Sequence, residues 1–370
     1  MTDPAKYKEM LARLCSRKIR IMEVCGTHTM AIAKAGIRNL LPDNIKLISG
    51  PGCPVCVTDQ QDIDRILELS GLEDIIIASY GDMLRVPGSI RGDSLLARKA
   101  KGAQVEVVYS PVDAVELALR NKDKRVVFIG VGFETTAPGT ASAVLYAEEK
   151  GAKNFFLLSL MKRVEPSLRA LIARPDFNID GFLCPGHVAT ITGANAFRFL
   201  PEEYGLPAVV SGFEAEDILL SIYEITRQIA QGEPGIFNEY KRAVTDEGNE
   251  AAMETLNRVF EPAEAEWRGL GSIAASGLKL RQEYGRYDII NELTPEELKN
   301  VLEKARFNKM STSETKKCVC GDVICGIINP LRCIMFGKVC TPANPLGPCM
   351  VSSEGSCAAA YKYCGVNQII

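Results

Sequence analysis

Between residues 18 and 231 the chain keeps to one rhythm: a short apolar, β-branched run, a glycine-marked loop, then a stretch with helical spacing. The runs are Ile19–Val24, Ile45–Ser49, Ile75–Ser79, Val105–Tyr109, Val126–Gly130, Phe155–Leu160, Gly181–Cys184 and Ala208–Ser211. Helix-like segments separate them, among them Asp62–Leu69, Val112–Arg120, Ala141–Lys150 and Ala215–Ala230. Strands alternating with helices predict parallel sheets covered on both faces. The expected fold is α/β, with two doubly wound parallel-sheet domains. Eight strands divide into two groups of four near Asn121–Lys124, giving domains over 1–120 and 121–234.

The rhythm changes after residue 234. Residues 235–310 read as mostly helical and charged, broken at Glu261-Pro262 and around Gly269, Gly271 and Gly277. Thr294 and Glu297 have the spacing of a capping box. From Cys318 the periodicity fails and Gly, Pro and Cys take over, as in a segment organised by an inorganic centre. A third, helical and irregular domain over 235–370 is expected.

Composition narrows the class. With 370 residues, 46% apolar and 24% charged, the chain is neither disordered nor fibrous. A net charge of −3 without a Lys/Arg stripe argues against a nucleic-acid partner. No apolar run approaches the ~20 residues of a membrane span, and Met1–Lys8 lacks a signal-peptide layout. A cytoplasmic location is expected. Five of the 13 cysteines lie in residues 1–317, and eight between Cys318 and Cys364. In such a chain a dense cysteine segment reads as metal ligation or redox chemistry before disulfide stapling.

The candidate chemistry sits in loops that follow strands, where open α/β sheets bind ligands. Cys25-Gly26-Thr27-His28-Thr29 puts a cysteine before a helix start, whose dipole favours thiolate. Gly50-Pro51-Gly52-Cys53-Pro54-Val55-Cys56 is a C-x-x-C with a fixed backbone, suited to a disulfide, a dithiol redox pair or a metal. Thr58 and Gln61 follow it with capping-box spacing. Gly132–Pro138 offers Glu134 and Thr135, Pro185–Val188 offers His187, and Tyr80–Gly88 offers Asp82 and Arg85. These loops predict one crevice between the two sheets. None matches a Walker A or dinucleotide fingerprint.

In the tail, Cys318, Cys333, Cys340 and Cys357 are spaced C-x14-C-x6-C-x16-C, with Cys320, Cys325, Cys349 and Cys364 interleaved. Four thiolates on irregular backbone suit a 4Fe-4S cluster better than zinc, whose C-x2-C pairs are missing. Spacing alone does not choose the four ligands.

Together these motifs, with Trp267–Gly271, Cys340–Pro345 and Met350–Gly355, resemble the HypD family of hydrogenase maturation factors over nearly the whole chain. The resemblance implies a role in assembling the Fe(CN)2CO unit of nickel–iron hydrogenases, with a HypC-type chaperone and a HypE-type cyanide donor. It makes Cys25, Cys53 and Cys56 the crevice cysteines and Cys318, Cys333, Cys340 and Cys357 the 4Fe-4S ligands. It makes Cys320 and Cys349 a further pair able to form a redox-active disulfide. Cys15, Cys184, Cys325 and Cys364 fall outside the family pattern.

On that basis Cys25 and a partner thiol hold the iron, and Cys53 and Cys56 alternate between disulfide and dithiol. Loop N–H groups, Thr27, Thr29 or Thr135 are expected as donors to cyanide, with Glu134 in the same cleft and His28 and His187 as proton or hydrogen-bond donors. The competing reading is an iron–sulfur-linked thiol–disulfide reductase. A hydrolase or amidotransferase using Cys25 and His28 ranks behind both, because nucleophile and base usually come from distant segments.

Overall fold

The computed structural model describes residues 4–311 and 318–364. All eight expected strands form: β1 (Ile19–Glu23), β2 (Ile45–Ser49), β3 (Ile75–Ser79), β4 (Val105–Val107), β5 (Arg125–Gly132), β6 (Phe155–Met161), β7 (Gly181–Pro185) and β8 (Ala208–Ser211). A ninth, β9 (Ile236–Asn238), follows the long helix Ala215–Gln231. They make two parallel sheets, ordered β2-β1-β7-β8-β9 and β4-β3-β5-β6.

The strands do not sort at residue 121. β1 pairs with β7, Ile21 opposite Gly181, so the chain leaves the first sheet after β2, builds the whole second sheet, and returns. β3 and β4, expected in the first group, join β5 through Ile75–Arg125 pairing. Local pattern makes a strand, but its partner is chosen by long-range packing.

In the two sheets the inner strands β3, β5, β7 and β8, with β6, are buried on both faces, which explains their continuous apolar runs. In the first, Ile21, Leu183 and Val209 pack on Ile218, Ile222 and Ile225. Met22, Phe182 and Val210 turn to the opposite layer, with Leu168 and Trp267. In the second, Val126, Phe128 and Phe155 face Ala143 and Val144, while Val127, Ile129 and Phe156 face Ile63 and Ile66. Each such side chain contributes ~1.5–3 kcal/mol. The tail has far less of this, with only Phe336, Cys340 and Met350 in its own buried cluster.

Residues 260–280 depart from the helical expectation. They form an antiparallel hairpin, β10 (Phe260–Trp267) and β11 (Gly271–Leu280). The period is two: Ala263, Ala265 and Trp267 alternate with Glu264 and Glu266, and charge disguised the alternation. The turn uses Gly269 at φ 83° and Gly271 at φ 76°. A Cβ on Gly269 would lie 2.7 Å from the Gly321 backbone, so this turn packs directly on the tail.

The Thr294–Glu297 box forms as expected, each backbone N–H donating to the other's side chain. Thr58 does not cap the helix Gln60–Leu69. Asp59 does, accepting from the Gln61 N–H at 2.9 Å, while Thr58 closes the preceding turn on Pro54.

Candidate functional site

Strand order reverses between β1 and β7, the place where open α/β sheets bind ligands. Cys25 leaves β1 there and is the N-cap residue of the helix Gly26–Lys34, while His187 leaves β7. The C-x-x-C loop leaves β2 alongside. Gly26 N–H donates to Gly52 O at 2.9 Å, and a Cβ on Gly52 would lie 2.2 Å from the Cys25 nitrogen. Only glycine lets the two cysteine loops touch. Cys53 and Cys56 are joined in a disulfide, with Cα atoms 5.2 Å apart.

The tail closes this crevice. A small cavity is lined by Gly26, Thr29, Gly50, Cys53 and Cys56 on one side and by Ile324, Cys349, Glu354 and Ser356 on the other. Thr27 donates to Glu354 at 2.8 Å across 327 residues of chain. Arg268, in the hairpin turn, donates to Thr58 O at 3.0 Å and to the Gln60 side chain at 3.1 Å, tying down the C-x-x-C helix. Arg85 donates to the Pro342 carbonyl of the tail.

Electrostatics correct three expectations. Burial pushes the Cys25 thiol up to about 12, against hydrogen bonding from the His28 N–H that lowers it. A helix end is worth ~0.3–1 kcal/mol, under one pKa unit, whereas full burial moves a group by up to ~3–5 units. The metal-free thiol is therefore neutral. His28 is fully buried, its pKa lowered by burial to about 4. Its Nε2–H donates to Gly212 O at 2.9 Å, so the unpartnered Nδ1 is an acceptor, not the expected proton donor. Thr27 and Thr29 spend their hydroxyl hydrogens on Glu354 and Glu23, leaving none for cyanide.

Phe213, which carries no motif or spacing that marks it in the sequence, stacks with both imidazoles, at 4.7 Å for His28 and 3.9 Å for His187. His187 lies at the exposed edge. Glu134 and Thr135 do not join this site. Glu134 accepts from the Val164 N–H at 2.9 Å and lines a separate cavity, and Thr135 is exposed.

A second cavity lies within the tail. Cys318, Cys320, Cys333, Cys340, Cys349 and Cys357 all line it, between Val319, Val323, Phe336, Leu346 and Met350. A Cβ on Gly347 would intrude to 2.7 Å from Cys318 Sγ. Hydrogen bonds from the Cys318 and Cys349 thiols hold Cys320 toward thiolate, with Arg268 adding positive charge. Among the described residues no three such groups converge on a single-ion point; a 4Fe-4S cluster would instead take four separate cysteine thiolates. The donor set and apolar walls fit a 4Fe-4S cluster. Cys325 donates to Gly269 O instead, and Cys15 and Cys184 are buried elsewhere. Cys349 lines both cavities.

Fold and site thus define a class: α/β proteins that gather thiols at a strand-order reversal, beneath a cysteine-rich tail. The model of the HypD family, described as the hydrogenase formation hypA family, matches residues 4–364. The chain belongs to the HypD family of hydrogenase maturation factors. It is similar to the hydrogenase maturation factor HypD of Rhodobacter capsulatus, 42% identical, covering 98% of this chain and 97% of that one. The Azotobacter vinelandii factor of that name is 42% identical over 98% and 95% of the two chains, and the Escherichia coli one 40% over 95% and 91%. Among the described residues no helix is long and apolar enough to cross a membrane.

Proposed function

We propose that this chain is the scaffold and redox factor on which the Fe(CN)2CO unit of a nickel–iron hydrogenase is assembled, in the cytoplasm, with a HypC-type chaperone and a HypE-type cyanide donor. Cys25 and a thiol of the chaperone hold the iron, which is cargo. Soft thiolates suit low-spin iron with strong-field ligands, and metal binding deprotonates a thiol that burial alone keeps neutral. The Thr27 and His28 N–H groups at the helix start point toward the Cys25 sulfur and favour that thiolate.

The observation that carries the reading is the place of Cys349, in the wall of both the Cys53–Cys56 cavity and the tail cavity. Exchange between the Cys320/Cys349 dithiol and the Cys53–Cys56 disulfide breaks one S–S bond and forms another. Two electrons and the Cys349 proton pass to Cys53 and Cys56, which become one thiol and one thiolate, leaving Cys320 and Cys349 joined. Cys318, Cys333, Cys340 and Cys357 would hold a 4Fe-4S cluster, which supplies one-electron chemistry when bound. His28 and His187 stack on Phe213 behind the Cys25 loop, His28 buried and His187 exposed.

The test is infrared spectroscopy of the complex purified with the chaperone without oxygen. The wild type should carry iron-bound cyanide and CO bands, and Cys25→Ala should lose them. Undiminished bands in that variant refute the role of Cys25. The disulfide beside Cys349 also fits a thiol–disulfide reductase; steady turnover on a thioredoxin-like substrate, with no infrared bands, would favour it.

A further inference from the structure

The cavity at Glu134 is separate from the crevice and, at about 220 Å³, far above the roughly 10–15 Å³ that one water needs. Apolar side chains make most of its wall, including Val188, Phe197, Met253 and Leu256. Glu134, Arg163, Glu165, Thr192 and Asn257 break that surface. Glu134 is 7% exposed, and only its Oε1 is satisfied, by the Val164 N–H; Oε2 is buried without a partner. Arg163 brings a guanidinium to the same cavity, with Nη1 donating to Ala275 O.

A buried carboxyl oxygen left unpaired has lost its hydration without replacement, which a ligand N–H can restore. The charges around it choose the ligand. An ammonium would face Arg163, and a carboxylate would face Glu134 and Glu165. A carboxamide meets neither penalty: its N–H donates to Oε2 and its carbonyl accepts from Arg163, while an apolar body lies on Val188, Phe197 and Leu256. We infer that this cavity is a second ligand site, separate from the thiol crevice, for a small uncharged carboxamide on an apolar body. The site shares a short helix with the crevice, since Val188 lines the cavity and the adjacent His187 stacks on Phe213.

The test uses the full chain and binding alone, so it succeeds or fails independently of the maturation role. Benzamide, benzoate and benzylamine are compared by ligand-observed saturation-transfer NMR. Benzamide should bind and the two charged analogues should not. Glu134→Gln keeps the acceptor for Val164 but turns Oε2 into an N–H donor, and should weaken benzamide at least tenfold. Ala196→Phe fills the cavity from its wall, leaves Glu134 untouched, and should abolish the signal. The inference is overturned if the folded wild type ignores benzamide, if benzoate binds as well, or if both variants bind benzamide like the wild type.

Discussion

The carboxyl end of β1 and the carboxyl end of β5 occupy equivalent places, each beside the point where strand order reverses in its sheet. At β1 the chain sets out thiols and imidazoles, and the cysteine-rich tail closes over them. At β5 it sets out a carboxyl, and the space beyond is walled by the hairpin and the helix Glu250–Val259. Topology supplies a crevice in both sheets. What covers the crevice decides its chemistry, because the cover brings half of the wall.

The comparison is broken most severely at Gly52. A methyl there would sit 2.2 Å from the Cys25 nitrogen and 2.5 Å from the Val24 carbonyl carbon, both rigid backbone. Gly52→Ala should separate the two cysteine loops, cost upward of ~4 kcal/mol, and abolish cargo binding. Gly139→Ala, on the helix after Glu134, meets nothing within 4 Å and should leave stability within ~0.5 kcal/mol. Thermal melts of the two variants, with iron content after anaerobic purification, check the contrast; equal melting would show that the close approach at Gly52 does not matter.

How much of this was legible in the sequence differs between strands and covers. The inner strands are legible because a strand buried on both faces writes a continuous apolar run, and β2 and β4 because β-branched residues recur between turn signals. Their grouping is not, since pairing Ile21 with Gly181 leaves no local mark. Cys25, Cys53 and Cys56 stood out because glycine and proline fix their loops, and the structure brings those loops together. Glu134 was assigned to the crevice from its strand-end position, which does not say which way a side chain turns. Phe213 and Arg268 carry no such mark: one is an ordinary aromatic after a strand, the other an arginine in a turn of a hairpin whose charged residues mimic a helix.

Arg268 offers the next, smaller test. Its guanidinium bonds Thr58 O and Gln60 from a half-buried position between hairpin and C-x-x-C helix, and its backbone N–H donates to Val57 O. Arg268→Met keeps the stem but removes the charged hydrogen bonds, at ~1.5–3 kcal/mol. It should also take from Cys320 the positive charge that helps hold its thiolate. Alkylation of Cys320 by iodoacetamide in the cluster-free chain should therefore need higher pH in the variant. An unchanged alkylation profile would confine Arg268 to packing.

The mildest expected effect compares two carboxyls. Burial pushes both Glu23, beside the crevice, and Glu134 up to about 7. Glu23 receives the Thr29 hydroxyl at 2.8 Å, whereas Glu134 has an oxygen without a partner. A carboxyl whose folded pKa is raised from 4.5 to about 7 favours the folded state while neutral. That contribution is complete below about pH 4.5 and is lost as pH rises through about 7. Glu134→Gln stays neutral throughout and retains the acceptor for the Val164 N–H. Its urea midpoint should match the wild type at pH 5 and exceed it at pH 8.5 by the equivalent of ~1–3 kcal/mol. A variant less stable than the wild type at pH 8.5 would mean that the Glu134 carboxylate is already paired, and the contrast between the two crevices would then rest on thiols alone.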